Sequence, residues 1–173
     1  MSAGSSAGIL GAMADRASIS RATAASHATK QPVDSIHLGE VRPHNAPITL
    51  VEYDTQWPAL FEREAARIRR ALDDRALLVE HVGSTAVPGL AAKPRIDVML
   101  AVADSADESG YVPSLEAAGY VLRIREPDWY EHRMLKGPDT DTNLHTFTPG
   151  CPEIDRMILF RDWLRSHGDD RLL

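Results

Sequence analysis

A single cysteine, Cys151, stands in 173 residues, so no disulfide closes within the chain and no cysteine zinc cluster can be assembled. A disulfide-stapled secreted scaffold is excluded, and the cytosol is the expected compartment. No run of about 18 apolar residues occurs, which excludes a membrane-spanning helix on bilayer thickness. Basic residues are in deficit, 19 against 25 acidic, for a net charge of −6. That balance argues against broad nucleic-acid binding, which needs clustered Lys and Arg, but leaves room for a local basic pocket. No Gly-x-x-x-x-Gly-Lys-Ser/Thr loop is present, so nothing in the chain supports kinase chemistry of that kind. What is present, 43% hydrophobic and 25% charged residues, is globular composition at a length that favours one domain.

These averages conceal a split. The first 30 residues hold nine Ala, six Ser and three Gly and no aromatic residue. Such low complexity cannot offset the entropy of ordering, so residues 1–45 are expected to be a disordered tail and residues 46–173 a folded domain. Two other readings of the tail stay open. Arg16, Arg21 and Lys30 among Ser and Ala loosely fit an organelle transit peptide, and Met13 or a later point offers an alternative start. The tail holds four basic and three acidic residues, leaving fifteen and twenty-two in the domain.

Ile48-Thr49-Leu50-Val51-Glu52-Tyr53 is β-branched and apolar and predicts a short strand. Asp54 and Thr55 offer N-cap oxygens and Pro58 suits a first turn. Phe61, Ala65, Ile68 and Leu72 then recur at helical spacing, predicting an amphipathic helix over 56–72. Strands are predicted at 76–82, 96–102, 120–124, 131–136 and 143–147, the last two as a hairpin through Gly137, Pro138, Asp139, Thr140 and Asp141. A short helix over 111–118 ends at Gly119, and a last helix over 152–167 is entered through Pro152 and closed by Gly168. This order predicts an α/β or α+β fold, a mixed β-sheet with helices on its faces.

The stretch most concerned with chemistry is His81-Val82-Gly83-Ser84 through Lys93-Pro94-Arg95-Ile96-Asp97. A strand ending in Gly83-Ser84 presents backbone N–H groups and a hydroxyl at a turn, an arrangement suited to phosphate oxygens. A carboxylate at Asp97 on the next strand suits Mg²⁺, which bridges phosphates, with Lys93 to neutralise their charge. The plainer readings stand alongside. Gly83 can simply make a tight turn and Ser84 cap the segment after it, while Asp97 can pair with Lys93, Arg95 or Arg133. His145 and Asn143 share one face of a later strand, which makes His145 the best further ligand or general base, with His81 next, although a lone histidine is more often a hydrogen-bonded structural residue and only a family resemblance raises these two above that. Arg161 and Arg165 lie one helical turn apart, placed either to bind an anion or to pair with Asp155, Asp162 or sheet carboxylates, with pairing favoured for at least one of them. His132 reads as a surface residue, and Cys151 lacks a partner motif for a catalytic thiol.

These motifs, with Asn143-Leu144-His145 and Phe160-Arg161-Asp162-Trp163-Leu164-Arg165, resemble the GrpB-like family over about residues 48–173. The resemblance implies a nucleotidyltransferase-type fold, with a Gly-Ser turn followed by acidic residues on the next strands. That superfamily carries two acids two apart on one strand, whereas here the pair is Asp97 and Met99, and a thioether is a poor Mg²⁺ ligand. The family also resembles a domain fused behind dephospho-coenzyme A kinase in actinobacteria and regarded as an accessory to kinase folding. It tends to continue with a further helical segment, so truncation after Leu173 is one expectation.

The leading expectation is therefore binding of a nucleotide or phosphorylated small molecule, with nucleotidyl or phosphoryl transfer. Asp97 and His145 are the catalytic candidates, with metal held by Asp97, His81 and His145. Gly83, Ser84, Lys93, Arg133, Arg161 and Arg165 are the phosphate-binding candidates. The alternative is a non-catalytic accessory or interaction domain. On the first reading Ser84, Lys93, Asp97 and His145 converge on one open site.

Overall fold

The computed structural model describes residues 35–39 and 49–172. The helix predicted over 56–72 is α1, Trp57–Leu72. It forms because Trp57, Phe61, Ala65, Ile68 and Leu72 make one buried stripe, with Pro58 in the first turn where its missing N–H costs nothing. The start differs in detail from expectation. Gln56 takes the N-cap position without a side-chain bond, and Asp54 Oδ1 instead accepts from the Gln56 amide at 2.8 Å. At the other end Arg75 closes the helix, its guanidinium donating to the carbonyls of Leu72 at 3.0 Å and Ala71 at 3.2 Å.

Among the described residues six strands form one mixed sheet. They are β1 Ile36–His37, β2 Leu78–Val82, β3 Ile96–Ala101, β4 Val121–Glu126, β5 His132–Lys136 and β6 Thr142–Phe147, in spatial order β1-β4-β5-β6-β3-β2. Only β3 and β6 pair in parallel; every other neighbour is antiparallel. The remaining helices are α2, Val112–Ala117, and α3, Pro152–Ser166. The α+β class and the hairpin of β5 and β6 match the sequence reading.

The strand expected at 48–53 is a correction. In its described part only Val51 pairs, in an isolated bridge to Ala92 with two 2.9 Å bonds. Leu50 is exposed, so the β-branched run has no sheet to lie against. Most of the tail expected at 1–45 lies outside the described residues. The exception is Ile36–His37, which the sequence reading passed over and which adds β1 to the free edge of β4.

Alternation sorts the sheet into two faces. On one, Val79, Ile96, Val98, Leu100, Leu122, Leu135 and Leu144 pack against α1 and α2 in the larger core. On the other, Val82, Met99, Ala101 and Phe147 pack with Cys151 and Ile154 and with Met157 and Ile158 of α3. Buried polar groups tie the first layer together. Glu64 of α1 is fully buried, accepting from the Tyr120 hydroxyl at 2.7 Å and from the Thr140 hydroxyl at 3.2 Å. Glu108 accepts from Arg125 and Arg133 at 2.6 Å each, and the Arg125 guanidinium holds its carboxyl below the usual range.

Tyr120→Phe leaves the Glu64 carboxylate without its shortest donor, at a cost expected near 1.5–3 kcal/mol, about the value of a hydrogen bond to a charged group. Chemical denaturation of the variant against the natural chain measures it; an unchanged midpoint would show the bond contributes nothing.

Candidate functional site

The face that α3 covers is only partly covered. In-register pairing sets Asp97 of β3 beside Asn143 of β6, Met99 beside His145 and Ala101 beside Phe147, while Lys136 and Met134 of β5 stand opposite Asn143 and His145. The apolar half of this set lies under α3. The polar half, at the start of β3, remains partly exposed, with the Asp97 side chain 25% and the His145 side chain 20% accessible.

There the side chains form one continuous polar row. Arg95 Nε donates to Asp141 Oδ2 at 3.0 Å, and Lys136 Nζ donates at 2.7 Å both to Asp141 Oδ1 and to Asn143 Oδ1. Asn143 Nδ2 donates to Asp97 Oδ1 at 2.9 Å, and His145 Nε2 lies 3.7 Å from that oxygen. On its far side His145 Nδ1 is 3.0 Å from His132 Nε2, and His132 Nδ1 is 2.7 Å from Glu126 Oε2. The two imidazoles are stacked, and Phe147 and Trp129 pack on His132. Burial first, and then the neighbouring His145 and Arg133, push the His132 imidazole down to about 3. Burial raises the Glu126 carboxyl above its ordinary value.

The Gly83-Ser84 turn borders this row. Gly83 has φ +73° and ψ −174°, a region open almost only to glycine, and a Cβ there would stand 2.6 Å from Asp97 Oδ2. Glycine thus lets the backbone of the turn close onto the carboxylate. Ser84 opens a short 3-10 turn, Ser84–Ala86.

The other expected residues are placed differently. His81 points to the opposite face from Asp97, because it pairs with Val98 while Asp97 pairs with Val82. It stacks on Phe61 at 4.7 Å, and its Nε2 lies 3.1 Å from the Thr85 hydroxyl, which donates to the Arg95 carbonyl. Burial and the nearby Arg165 push its imidazole down to about 4. His81 therefore cannot share a metal with Asp97. Arg133 also faces away: it pairs with Thr146, outside the row, and its guanidinium is engaged with Glu108 and Glu131. Arg161 is buried, bonded to Glu80 Oε2 at 2.7 Å, to the His81 carbonyl at 2.9 Å and to Asp162. Arg165 Nε holds the Ala86 carbonyl at 3.0 Å. Both arginines fasten α3 to β2 and the Ser84–Ala86 turn, and with His81 they line a groove of about 340 Å³ between α1 and α3. Lys93 is exposed and makes no side-chain bond among the described residues. The ammonium in the row is that of Lys136.

Nor does the row fit Mg²⁺, which takes hard oxygens in an octahedron. Among the described residues Asp97 is the one carboxylate within 4 Å of His145; its Oδ1 already accepts from an amide, and the residue two positions along is the buried thioether of Met99. Among the described residues no group of three His, Cys, Asp or Glu is placed to hold a metal ion. Sequence reasoning missed Glu126, His132 and Lys136. Period two on β5, His132, Met134 and Lys136, was the signal that two of them share a face.

Fold and site together define an α+β protein whose mixed sheet carries a carboxylate, amide and imidazole row on one partly covered face. The chain belongs to the GrpB family, described as GrpB protein, which matches residues 47–173. It is 64% identical over 143 residues to a UPF0157 protein of Halalkalibacterium halodurans, spanning 83% of this chain and 73% of that one. A UPF0157 protein of Streptomyces coelicolor is 44% identical, over 76% of this chain and 68% of its own length. A dephospho-CoA kinase of Mycolicibacterium paratuberculosis is 34% identical over 73% of this chain, which spans only 37% of that protein. Among solved structures, the conserved protein GrpB from Enterococcus faecalis superposes with a TM-score of 0.62 at 29% identity, covering 72% of this chain and 76% of that one.

The two buried imidazoles set an acid limit. Each is neutral when folded and free to protonate when unfolded, so the unfolded chain binds more protons below about pH 6.5, and stability falls as pH drops from there toward the folded values. The expected slope is about 1.4 kcal/mol per pH unit for each histidine across that window. Urea midpoints between about pH 7 and pH 4.5 read it, and His81→Leu should make the decline shallower; an identical slope would refute the assignment to His81.

Proposed function

We propose that this chain binds a nucleotide or another phosphorylated small molecule over the row of Asp97, Asn143 and His145, on a nucleotidyltransferase-type fold. The observation that supports the reading is the convergence at one place of the Gly83 turn, packed so near Asp97 that a Cβ there would stand 2.6 Å from its Oδ2, and His145 Nε2, 3.7 Å from Oδ1 of the same side chain. A phosphate beside a carboxylate needs positive charge, and Lys136 with Arg95 supply it at that end of the row. The chemistry that suits these groups is phosphoryl or nucleotidyl transfer to a hydroxyl: the hydroxyl oxygen bonds to phosphorus as the donor's P–O bond breaks and its phosphate or pyrophosphate portion departs, with His145 taking the hydroxyl proton and Asp97 stabilising the imidazolium.

A second reading, an accessory or interaction domain, draws on a different feature. On α3, Leu159, Phe160 and Trp163 are 68%, 60% and 52% exposed, an apolar outer stripe at helical spacing. The likeness to part of a dephospho-CoA kinase supports a kinase as the partner.

Thermal denaturation of the full chain with nucleoside mono-, di- and triphosphates, coenzyme A and dephospho-coenzyme A, each with and without Mg²⁺, separates the two. The expected result is a higher Tm with at least one ligand, worth about 2.7 kcal/mol at a hundredfold excess over Kd and lost in Lys136→Met. No shift with any ligand, a shift that Lys136→Met retains, or one that needs Mg²⁺ overturns the proposal. The second reading instead expects co-elution with a dephospho-CoA kinase that Phe160→Glu abolishes; absence of co-elution removes it.

A further inference from the structure

Beyond Asp97 and His145, the row contains two members that no ligand needs to touch. Glu126 Oε2, His132 Nδ1 and Nε2, and His145 Nδ1 and Nε2 succeed one another in a line from β4 through β5 to β6, with spacings of 2.7 and 3.0 Å. The partners dictate where the protons sit. An ionised carboxylate only accepts, so Glu126 requires the proton of His132 on Nδ1. A neutral His132 then has a bare Nε2, which can only accept, so His145 must carry its proton on Nδ1. That leaves His145 Nε2 as an unprotonated lone pair, turned toward the partly exposed end of the row and 3.7 Å from Asp97 Oδ1.

We propose that Glu126 and His132 are positioning residues that lock His145 in the Nδ1–H tautomer, so that its Nε2 acts as a base toward a hydroxyl or water bound beside Asp97. For the identity of that proton donor the inference rests on the function proposed above; the tautomer itself does not. The proton passes from the donor oxygen to Nε2, leaving an imidazolium between the Asp97 carboxylate and His132. Burial suits His132 to the task. It is 3% exposed, stacked between His145 and Phe147 with the Trp129 edge against it, so its ring is held and it stays neutral while it orients its neighbour. The charged and titratable groups around the pair are Glu126 and, from β1, His37 on one side, Arg133 and Lys136 on β5, and Asp97 on β3. No basic side chain bonds to His145 Nε2 among the described residues, so nothing there competes with a proton for it.

Long-range proton–nitrogen spectra of the full chain carrying ¹⁵N-histidine, free of ligand and near neutral pH, read the tautomers directly. Expected are protonated Nδ1 and unprotonated Nε2 on both histidines, with a coupling across the hydrogen bond from His145 Nδ1 to His132 Nε2. Glu126→Leu removes the acceptor, so His132 should move its proton to Nε2, donate to His145 Nδ1 and convert His145 to the Nε2–H form. His132→Phe, which keeps the aromatic stack, should abolish the coupling and also shift His145 toward Nε2–H. A wild-type His145 already in the Nε2–H form overturns the proposal, as does a wild-type tautomer retained in Glu126→Leu, which carries the test if His132→Phe does not fold. Because no ligand is present, correct tautomers without any thermal shift would fail the binding proposal alone, and a ligand shift with the wrong tautomer would fail this one alone.

Discussion

The parallel pairing of β3 with β6 is the constraint on which the rest of the molecule depends. Parallel neighbours cannot be joined by a tight turn, so the chain between them must cross over, and that crossover supplies α2, β4 and β5. Its register then brings Asp97 beside Asn143 and Met99 beside His145. A slip of one residue would turn Asp97 or His145 to the α1 face, among Val98 and Leu144, and dismantle the row. Fold and candidate site are therefore specified by the same set of hydrogen bonds.

The division of labour between the two faces explains the chemistry that is present and the chemistry that is not. Beneath α1 and α2 the sheet is mostly apolar, with Glu64 fully buried and bonded to Tyr120 and Thr140, and Glu108 half-buried and bonded to Arg125 and Arg133. The other face changes character along its strands. Under α3 it holds Val82, Met99, Ala101 and Phe147, and beyond the helix it turns polar. Met99 falls on the covered side of that boundary and is fully buried, which suits an apolar thioether there. An unpaired carboxylate there would be buried at high cost.

Arginine shows how an anion-site expectation can fail. Arg161 and Arg165 have the spacing of a phosphate clamp, yet the first is buried between Glu80 and Asp162 and the second is bonded to the Ala86 carbonyl. Breaking a pair such as Arg161 with Glu80 would leave a charge buried without a partner, so these side chains are committed to seating α3. Arg133 is committed likewise to Glu108. Conversely His132, which looked like a surface residue, is among the most enclosed polar groups in the chain. Its neighbours in sequence are charged, and only the closing of β4 and β6 around β5 hides it.

What the sequence determined by itself is local or periodic. Helical spacing from Phe61 to Leu72, the apolar run around Asp97, the Pro and Gly signals flanking α3 and the alternation of Asn143 with His145 each arise from a backbone period or a fixed dihedral, and each is present in the structure. The α+β class came from their order, whereas the pairing of Asp97 with His145 as site candidates leaned on the resemblance to the GrpB-like family. Tertiary structure decided what depends on partners distant in the chain: that His81 lies behind the sheet, that Lys136 rather than Lys93 stands in the row, and that Glu126 and His132 reach His145. A strand's period assigns a side chain to one of two faces, but which face is covered, and by whom, is set only when nonadjacent strands and α3 pack together.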